Sequence, residues 1–206
     1  KSIKILKQEN ITYIAVGYDK GGTGNVDMYK ESSAGLLDFY KYRTITSDDS
    51  SQGDMFGHCI DANNKFMFIS SPNELGAGCV YVLEYDNTEG FFVKKQKIIP
   101  DDIEAGNRFG KNISFSDFNG VITSNKSLGK AYIYSHNNEW NHISSVLPEN
   151  STDNSFGGND SGSFSTFIKE RIKSNLEQTG SALTIGHHLD NKLDYFSTGE
   201  DNVMED

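Results

Sequence analysis

Apolar residues in this chain fall into short runs of roughly four to eight positions, each closed by a cluster of Gly, Pro, Asn, Asp or Ser, as strands separated by turns require. The runs recur in one order. A Phe-Gly pair stands at Phe56-Gly57, Phe109-Gly110 and Phe156-Gly157, at intervals of 53 and 47 residues. The first pair is followed by HCIDANNKFMFISSP, GAGCVYVLEY and GFFVKKQKIIP, the second by KNISFSDFNGVITSN, LGKAYIYSHN and EWNHISSVLP. A supersecondary unit copied at fixed period is stronger evidence than any single residue. This unit has four β-like segments and predicts a four-stranded blade.

Residues 56–108 show how one unit reads. His58-Cys59-Ile60-Asp61 begins a first strand, and Lys65 to Ile69 is a dense apolar run suited to a buried second strand. Cys79 to Tyr85, rich in Val and Tyr, is the third, and Phe91 to Ile99 the fourth, ended by Pro100. Lys94, Lys95 and Lys97 suit an outer edge that must not pair with other chains. The second strands Tyr13 to Gly17, Met67 to Ser71 and Val121 to Ser124 all end in small residues. The third strands begin Gly24-Asn25, Gly78-Cys79 and Gly129-Lys130, and Phe39, Phe92 and Trp140 align in the fourth.

The Phe-Gly pairs, a second strand ending in a Gly-Ala-Pro-like triplet and a third strand of the form Gly-x-x-Tyr-x-Tyr together resemble the FG-GAP repeat of integrin α-like β-propellers. The resemblance covers most of the chain and implies an all-β propeller of four-stranded antiparallel blades. Approximate blades are 1–55, 56–108, 109–155 and 156–206, all within a single domain. The triplet positions read Ser70-Ser71-Pro72, Thr123-Ser124-Asn125 and Ser197-Thr198-Gly199. The family's calcium loop is absent from the turns at Ala62-Asn63-Asn64 and Asp117-Phe118-Asn119-Gly120.

The fourth unit departs from the pattern. Ile168, Ile172 and Leu176 recur at four-residue intervals, which predicts a short helix over 166–178 within an insertion at 158–178. Strand-like text resumes at Gly180 to Ile185 and Leu193 to Ser197. The chain therefore reads as about three and a half blades, where a closed ring has about four to eight. Ile14, Val16, Leu193 and Phe196 are expected on faces that such an excerpt leaves open. Because the chain begins at Lys1 and not Met, an upstream segment is expected as well.

Composition changes the picture little. At 206 residues, 35% apolar and with 20 glycines, this is a turn-rich globular chain. Its net charge of −10 argues against a nucleic-acid partner, whose phosphates are met by Lys and Arg. No apolar run is long enough for a spanning helix, so no membrane insertion is expected. Cys59 and Cys79 fall on the first and third strands, two inter-strand steps or about 9.6 Å apart, too far for a disulfide. Buried free thiols are expected. Sequons at Asn10, Asn112, Asn125, Asn150 and Asn159 matter only if the source is a secreting eukaryote.

Candidate chemistry is sparse. No G-x-S-x-G, P-loop or H-E-x-x-H sequence is present. Asp190, Asn191 and Asp194 are candidate calcium ligands, but His188 takes a place where a hard cation wants oxygen, and a solvated acidic turn is the expected reading. No cofactor is otherwise expected. His187 and His188 point to opposite faces of a strand and do not converge on one ion. Among aromatics, Tyr18, Tyr40, Tyr42 and Trp140 suit recognition, although residues recurring in register are better read as packing. The loop candidates for ligand binding are Tyr18 and Asp19, Asn73 and Glu74, and Asn125 and Lys126, in equivalent turns between second and third strands.

The resemblance implies a non-catalytic recognition or adhesion module, extracellular, on a cell surface or on a virion, that binds protein or glycan through loops on one face. The alternative is a structural subunit of a virion or phage appendage that contacts neighbouring subunits. An enzyme whose catalytic domain lies outside these residues is a third reading.

Overall fold

The computed structural model describes residues 2–8, 10–19, 22–125 and 129–147, together with the backbone of Thr184–Leu189 and Lys192–Ser197. Three four-stranded antiparallel sheets follow one another along the chain. The first contains β1 (Ile3–Gln8), β2 (Ile11–Tyr18), β3 (Asn25–Glu31) and β4 (Phe39–Ile45). The second contains β5 (Ile60–Ala62), β6 (Phe66–Ser71), β7 (Cys79–Asp86) and β8 (Phe91–Ile98). The third contains β9 (Ile113–Phe115), β10 (Asn119–Ser124), β11 (Lys130–Asn137) and β12 (Glu139–Val146). A separate hairpin pairs β13 (Thr184–Leu189) with β14 (Lys192–Ser197). In every sheet spatial order equals chain order, as consecutive hairpins dictate.

The helix expected over 166–178, the Phe156-Gly157 pair and the side chains of Leu193 and Phe196 lie outside the described residues. Among the described residues the one helical element is a 3-10 turn at Glu74–Gly76. The expected strands are found with small shifts. Cys59 precedes β5 instead of lying in it, because its amide N–H already donates to Ser70 Oγ at 2.9 Å. Phe39, Phe92 and Trp140 stand opposite Glu31, Tyr85 and His136, an equivalent register in each sheet.

A further correspondence was not expected. The register between third and fourth strands shifts after Met28, Val82 and Ile133, one position counted from Gly24, Gly78 and Gly129. An extra residue on the fourth strand, Tyr42, Lys95 or Ile143, makes the bulge. Bulges bend a strand and raise its twist, so each sheet curves at the same point.

Neighbouring sheets meet along their first strands, with β5 beside β1 on one side and β9 on the other. Asp61, buried in β5, ties all three. Its Oδ1 accepts from Lys4 Nζ of β1 at 2.6 Å, and its Oδ2 from the Phe115 amide of β9 at 3.0 Å. Two apolar cores result. Val26, Met28, Phe56, Met67, Ile69, Cys79 and Tyr81 fill the space between the first and second sheets. Phe68, Val80, Val82, Phe109, Ile122, Tyr132 and Trp140 fill that between the second and third. Alternation along β7 sends Cys79 and Tyr81 one way and Val80 and Val82 the other. Cys59 and Cys79 are buried in different cores and form no disulfide with each other, and burial pushes the Cys79 thiol up.

The Phe-Gly segments join the sheets through their backbones. Phe56 donates to Thr23 O at 3.1 Å and Phe109 to Ala77 O at 2.8 Å. Gly24 and Gly78 allow this approach. At Gly78, φ is +99°, and an added Cβ would lie 2.4 Å from Phe109 O and 2.6 Å from Phe109 N. These are backbone atoms and cannot swing aside. Gly78→Ala is therefore expected to lower stability by at least about 1–3 kcal/mol, the cost of left-handed strain alone. Urea unfolding measures it, and a loss within experimental error would contradict this role for Gly78.

Candidate functional site

The turns between second and third strands are where a recognition face was expected, and the first two are bonded to the segment entering the next sheet. Beyond the Phe56 and Phe109 bonds, Gly53 donates to Gly22 O at 2.9 Å, and Gly106 donates to Gly76 O. The second and third turns are also bonded to the segment entering their own sheet, Asn73 N donating to Asp54 O at 3.2 Å and Asn125 N to Asn107 O at 3.0 Å. Asn73 Nδ2 also reaches Gly53 O at 2.9 Å. The second turn is thus held at both ends by ladder-like bonds. At the tip of the second, Leu75 is 67% exposed at φ 54°, a conformation leucine rarely adopts.

Two candidate carboxylates are turned inward. Asp19 and Glu74 are both buried. Asp19 Oδ2 lies 2.9 Å from His58 Nδ1. Since a carboxylate only accepts, Nδ1 carries the proton and Nε2 is left as the acceptor of the neutral ring. Asp19 Oδ1 is buried and has no hydrogen-bond partner among the described residues. Although burial opposes it, the bond from His58 holds the Asp19 carboxyl below its ordinary value. Burial, assisted by the charge of Lys111, holds His58 below its ordinary value against the pull of Asp19.

The His58 shift makes a pH prediction. An unfolded chain takes up this proton near pH 6.5, while the folded state resists it until lower pH. Its contribution is complete above pH 6.5 and is lost as pH falls through the lower folded value. His58→Asn should therefore lose less stability than the parent between pH 7.5 and pH 5 in urea titrations. Equal losses in the two proteins would sink the assignment.

Glu74 anchors a second cluster, formed where the segment after β4 crosses the face of β7. Tyr81 OH lies 2.6 Å from Glu74 Oε1 and 2.9 Å from Asp49 Oδ1, and it accepts from Ser47 Oγ at 2.7 Å. The single phenolic proton goes to one carboxylate, and the shorter distance favours Glu74. Lys97 Nζ donates to Glu74, and to Asp49 Oδ2 at 2.7 Å. Burial opposes it, but bonds to Asp49 and Glu74 hold the Lys97 ammonium up, and Lys97 holds Asp49 down. The next junction repeats the theme. Asp102 pairs with Lys130, whose Nζ lies 4.5 Å from the Tyr132 ring centroid. Burial and Asp102 push the Tyr132 phenol up to about 12. These clusters satisfy their own members and join sheets.

On the first sheet a pocket adjoins the equivalent position. Asp27 occupies the place of Tyr81 and Tyr132 in the strand register. It faces away from the core that holds Val26 and Met28. A pocket of about 370 Å³ lies there, lined by Gly22, Thr23, Gly24, Asn25, Asp27, Lys41, Thr44 and Thr46. Asp27 Oδ1 accepts from Thr44 Oγ1 at 2.7 Å, Lys41 Nζ at 2.8 Å and Asn25 Nδ2 at 3.2 Å. Burial opposes it, but Lys41 and Thr44 hold the carboxyl below its ordinary value. Tyr18, at the end of β2, is half-buried.

Of the residues singled out by sequence, Tyr18, Asp19, Asn73, Glu74 and Asn125 thus lie in or beside the clamped turns. Lys126, Asp190 and Asn191 lie outside the described residues. Asp194 is placed by its backbone alone, opposite His187 in the hairpin. Among the described residues no group of three or more His, Cys, Asp or Glu side chains converges on a common point, and no helix is long and apolar enough to cross a membrane. Sequence reasoning missed Asp27, Lys41 and Thr44. The available signal was an acidic residue in a third-strand position that is tyrosine in the other two units.

A scan against protein-family models finds no match for this chain. A search of curated proteins finds none that matches either.

Proposed function

We propose that the three sheets are successive blades of a propeller-like recognition module, non-catalytic and working at a cell or virion surface. It binds protein or glycan through the turns between second and third strands. The observation that carries this reading is the clamping of those turns by backbone hydrogen bonds to the next sheet, at Thr23 with Phe56 and at Ala77 with Phe109. A turn held in advance loses little freedom when it meets a ligand, and affinity gains by that amount. The exposed leucine at the tip of one turn adds an apolar anchor, and the resemblance to FG-GAP repeats supports the same reading.

The test is binding of the immobilised chain to arrays of glycans and extracellular proteins, with Leu75→Asp as the loop variant. Asp tolerates the left-handed backbone better than Leu, so the variant should keep its melting temperature. Hits that weaken at least tenfold in this variant are expected. No hit on either array, or hits indifferent to it, would overturn the reading. Assembly into a larger particle is favoured by one observation, the exposure of Ile3 and Ile5 at 66% and 62% on the outer face of the first sheet. Self-association in sedimentation that Ile5→Asp abolishes and Leu75→Asp spares would support that alternative.

A further inference from the structure

We infer that the open pocket around Asp27 is a binding site for a neutral saccharide, a deepening of the recognition reading above on which it rests. The other two sheets show what normally fills this place. On β7 and β11 the equivalent residues are Tyr81 and Tyr132, each covered by a connection that brings in an acidic residue, Asp49 or Asp102. A phenol with a lysine beside it calls for an acceptor, and a carboxylate supplies it. On the first sheet the logic is reversed. Asp27 is itself an acceptor, so whatever enters must donate.

The donors already present converge on one oxygen. Thr44, Lys41 and Asn25 all bond to Asp27 Oδ1, which leaves Oδ2 for an incoming hydroxyl. Asp27 and Lys41 cancel in charge, so a charged ligand gains no net attraction. The lining of hydroxyls, one amide and the backbone of Gly22, Thr23 and Gly24 offers nothing to an apolar one. Alternating fixed donors and acceptors match the paired hydroxyls of a sugar, each of which both donates and accepts. The volume of about 370 Å³ falls within the usual range of small-molecule sites, roughly 300–1,000 Å³.

The experiment uses the whole chain of 206 residues and four named probes, glucose, galactose, mannose and N-acetylglucosamine, with glucuronate as the charged comparison. Saturation-transfer NMR detects binding and titration gives its strength. At least one neutral sugar should bind, more tightly than glucuronate. Asp27→Asn, which keeps the shape but replaces Oδ2 or Oδ1 by a donor, should weaken it tenfold or more. Thr44→Val, which leaves the Asp27–Lys41 pair intact, should weaken it severalfold. Melting temperatures show that both variants are folded, and if Asp27→Asn is not, Thr44→Val alone decides.

Absence of binding by all four sugars overturns the inference, as does binding that neither variant alters. Sugar binding that survives both pocket variants but is lost in Leu75→Asp overturns the pocket and leaves the recognition reading standing. Sugar binding lost in the pocket variants supports the pocket even if the loop variant changes no array hit, the result that sinks the turn-based reading.

Discussion

Phe109→Ala should cost the protein about 3–5 kcal/mol, the usual penalty for emptying a fully buried aromatic site. Phe109 has no exposed surface and packs edge-on against Tyr132 at a centroid distance of 5.1 Å. It also meets Tyr134, at 6.4 Å. The surrounding strands cannot collapse into the space, because the Phe109 amide is bonded to Ala77 O and holds the two sheets at their present separation. Phe56 is the equivalent wedge at the preceding junction, 5.2 Å from Tyr81, and Phe56→Ala should cost a similar amount. Domains are stable by about 5–15 kcal/mol, so either change consumes a large share. Urea unfolding at neutral pH gives the value, with an unchanged m-value showing that only stability moved. A loss under about 1.5 kcal/mol for Phe109→Ala, half the lower bound for such a truncation, would mean that the Phe-Gly segments do not wedge the sheets apart.

Lys97→Ala should cost about 3 kcal/mol, the lower end of the range for stripping one partner from a buried pair. Glu74 is 2% exposed, whereas Lys97 retains some contact with water. Without the ammonium, the carboxylate keeps only Tyr81 OH and Ser50 Oγ, at 2.6 and 3.1 Å, as donors from this cluster. The sign of the pH response is a sharper test than the size of the loss. In the parent, burial opposes ionisation of Glu74, but Lys97 and Tyr81 hold its carboxyl below the ordinary 4.5. Its contribution is therefore present above pH 4.5 and lost as pH falls through the folded value. In Lys97→Ala the burial penalty is unopposed by the lysine, so protonation relieves the folded state and the deficit should shrink on acidification. A deficit that stays constant from pH 7 to pH 4 would show that lost packing of the lysine stem, not the stranded charge, carries the effect. The double variant Lys97→Met with Glu74→Gln should recover most of the stability at neutral pH, since no charge is then left buried.

The strands were legible because strand formation is local. Val, Ile, Tyr and Phe in short runs, closed by Gly, Asn and Asp, fix a segment as extended whatever lies beside it. Comparing the units also aligned Phe39, Phe92 and Trp140 correctly, since the hairpins that set register are themselves local. The recurring bulge after Met28, Val82 and Ile133 was not legible. One inserted residue on a fourth strand leaves no mark where apolar and polar residues do not alternate strictly, as in FYKYRTI, FFVKKQKI and EWNHISSV.

The binding candidates show the same division. Sequence placed Asp19, Asn73 and Glu74 in equivalent turns, where the structure has them, and assigned them to a surface. Packing turned both carboxylates inward. Glu74 meets Lys97 from a strand 23 residues on, and Asp19 meets His58 from 39 residues on. Such pairings depend on how one sheet lies on the next, and no spacing within a unit encodes that.

By itself, then, the amino-acid order determined an all-β chain of four-strand units, two cysteines too far apart along the fold to bridge, and many turns. Each of these follows from propensity, periodicity or composition, which act within a few residues. The tertiary structure alone decided that Asp61 ties three first strands, that connections carry Asp49 and Asp102 onto tyrosines, and that Asp27 is gathered with Lys41 and Thr44 beside a pocket. These outcomes are set by sheet-on-sheet packing, where residues dozens of positions apart compete for the same few ångströms.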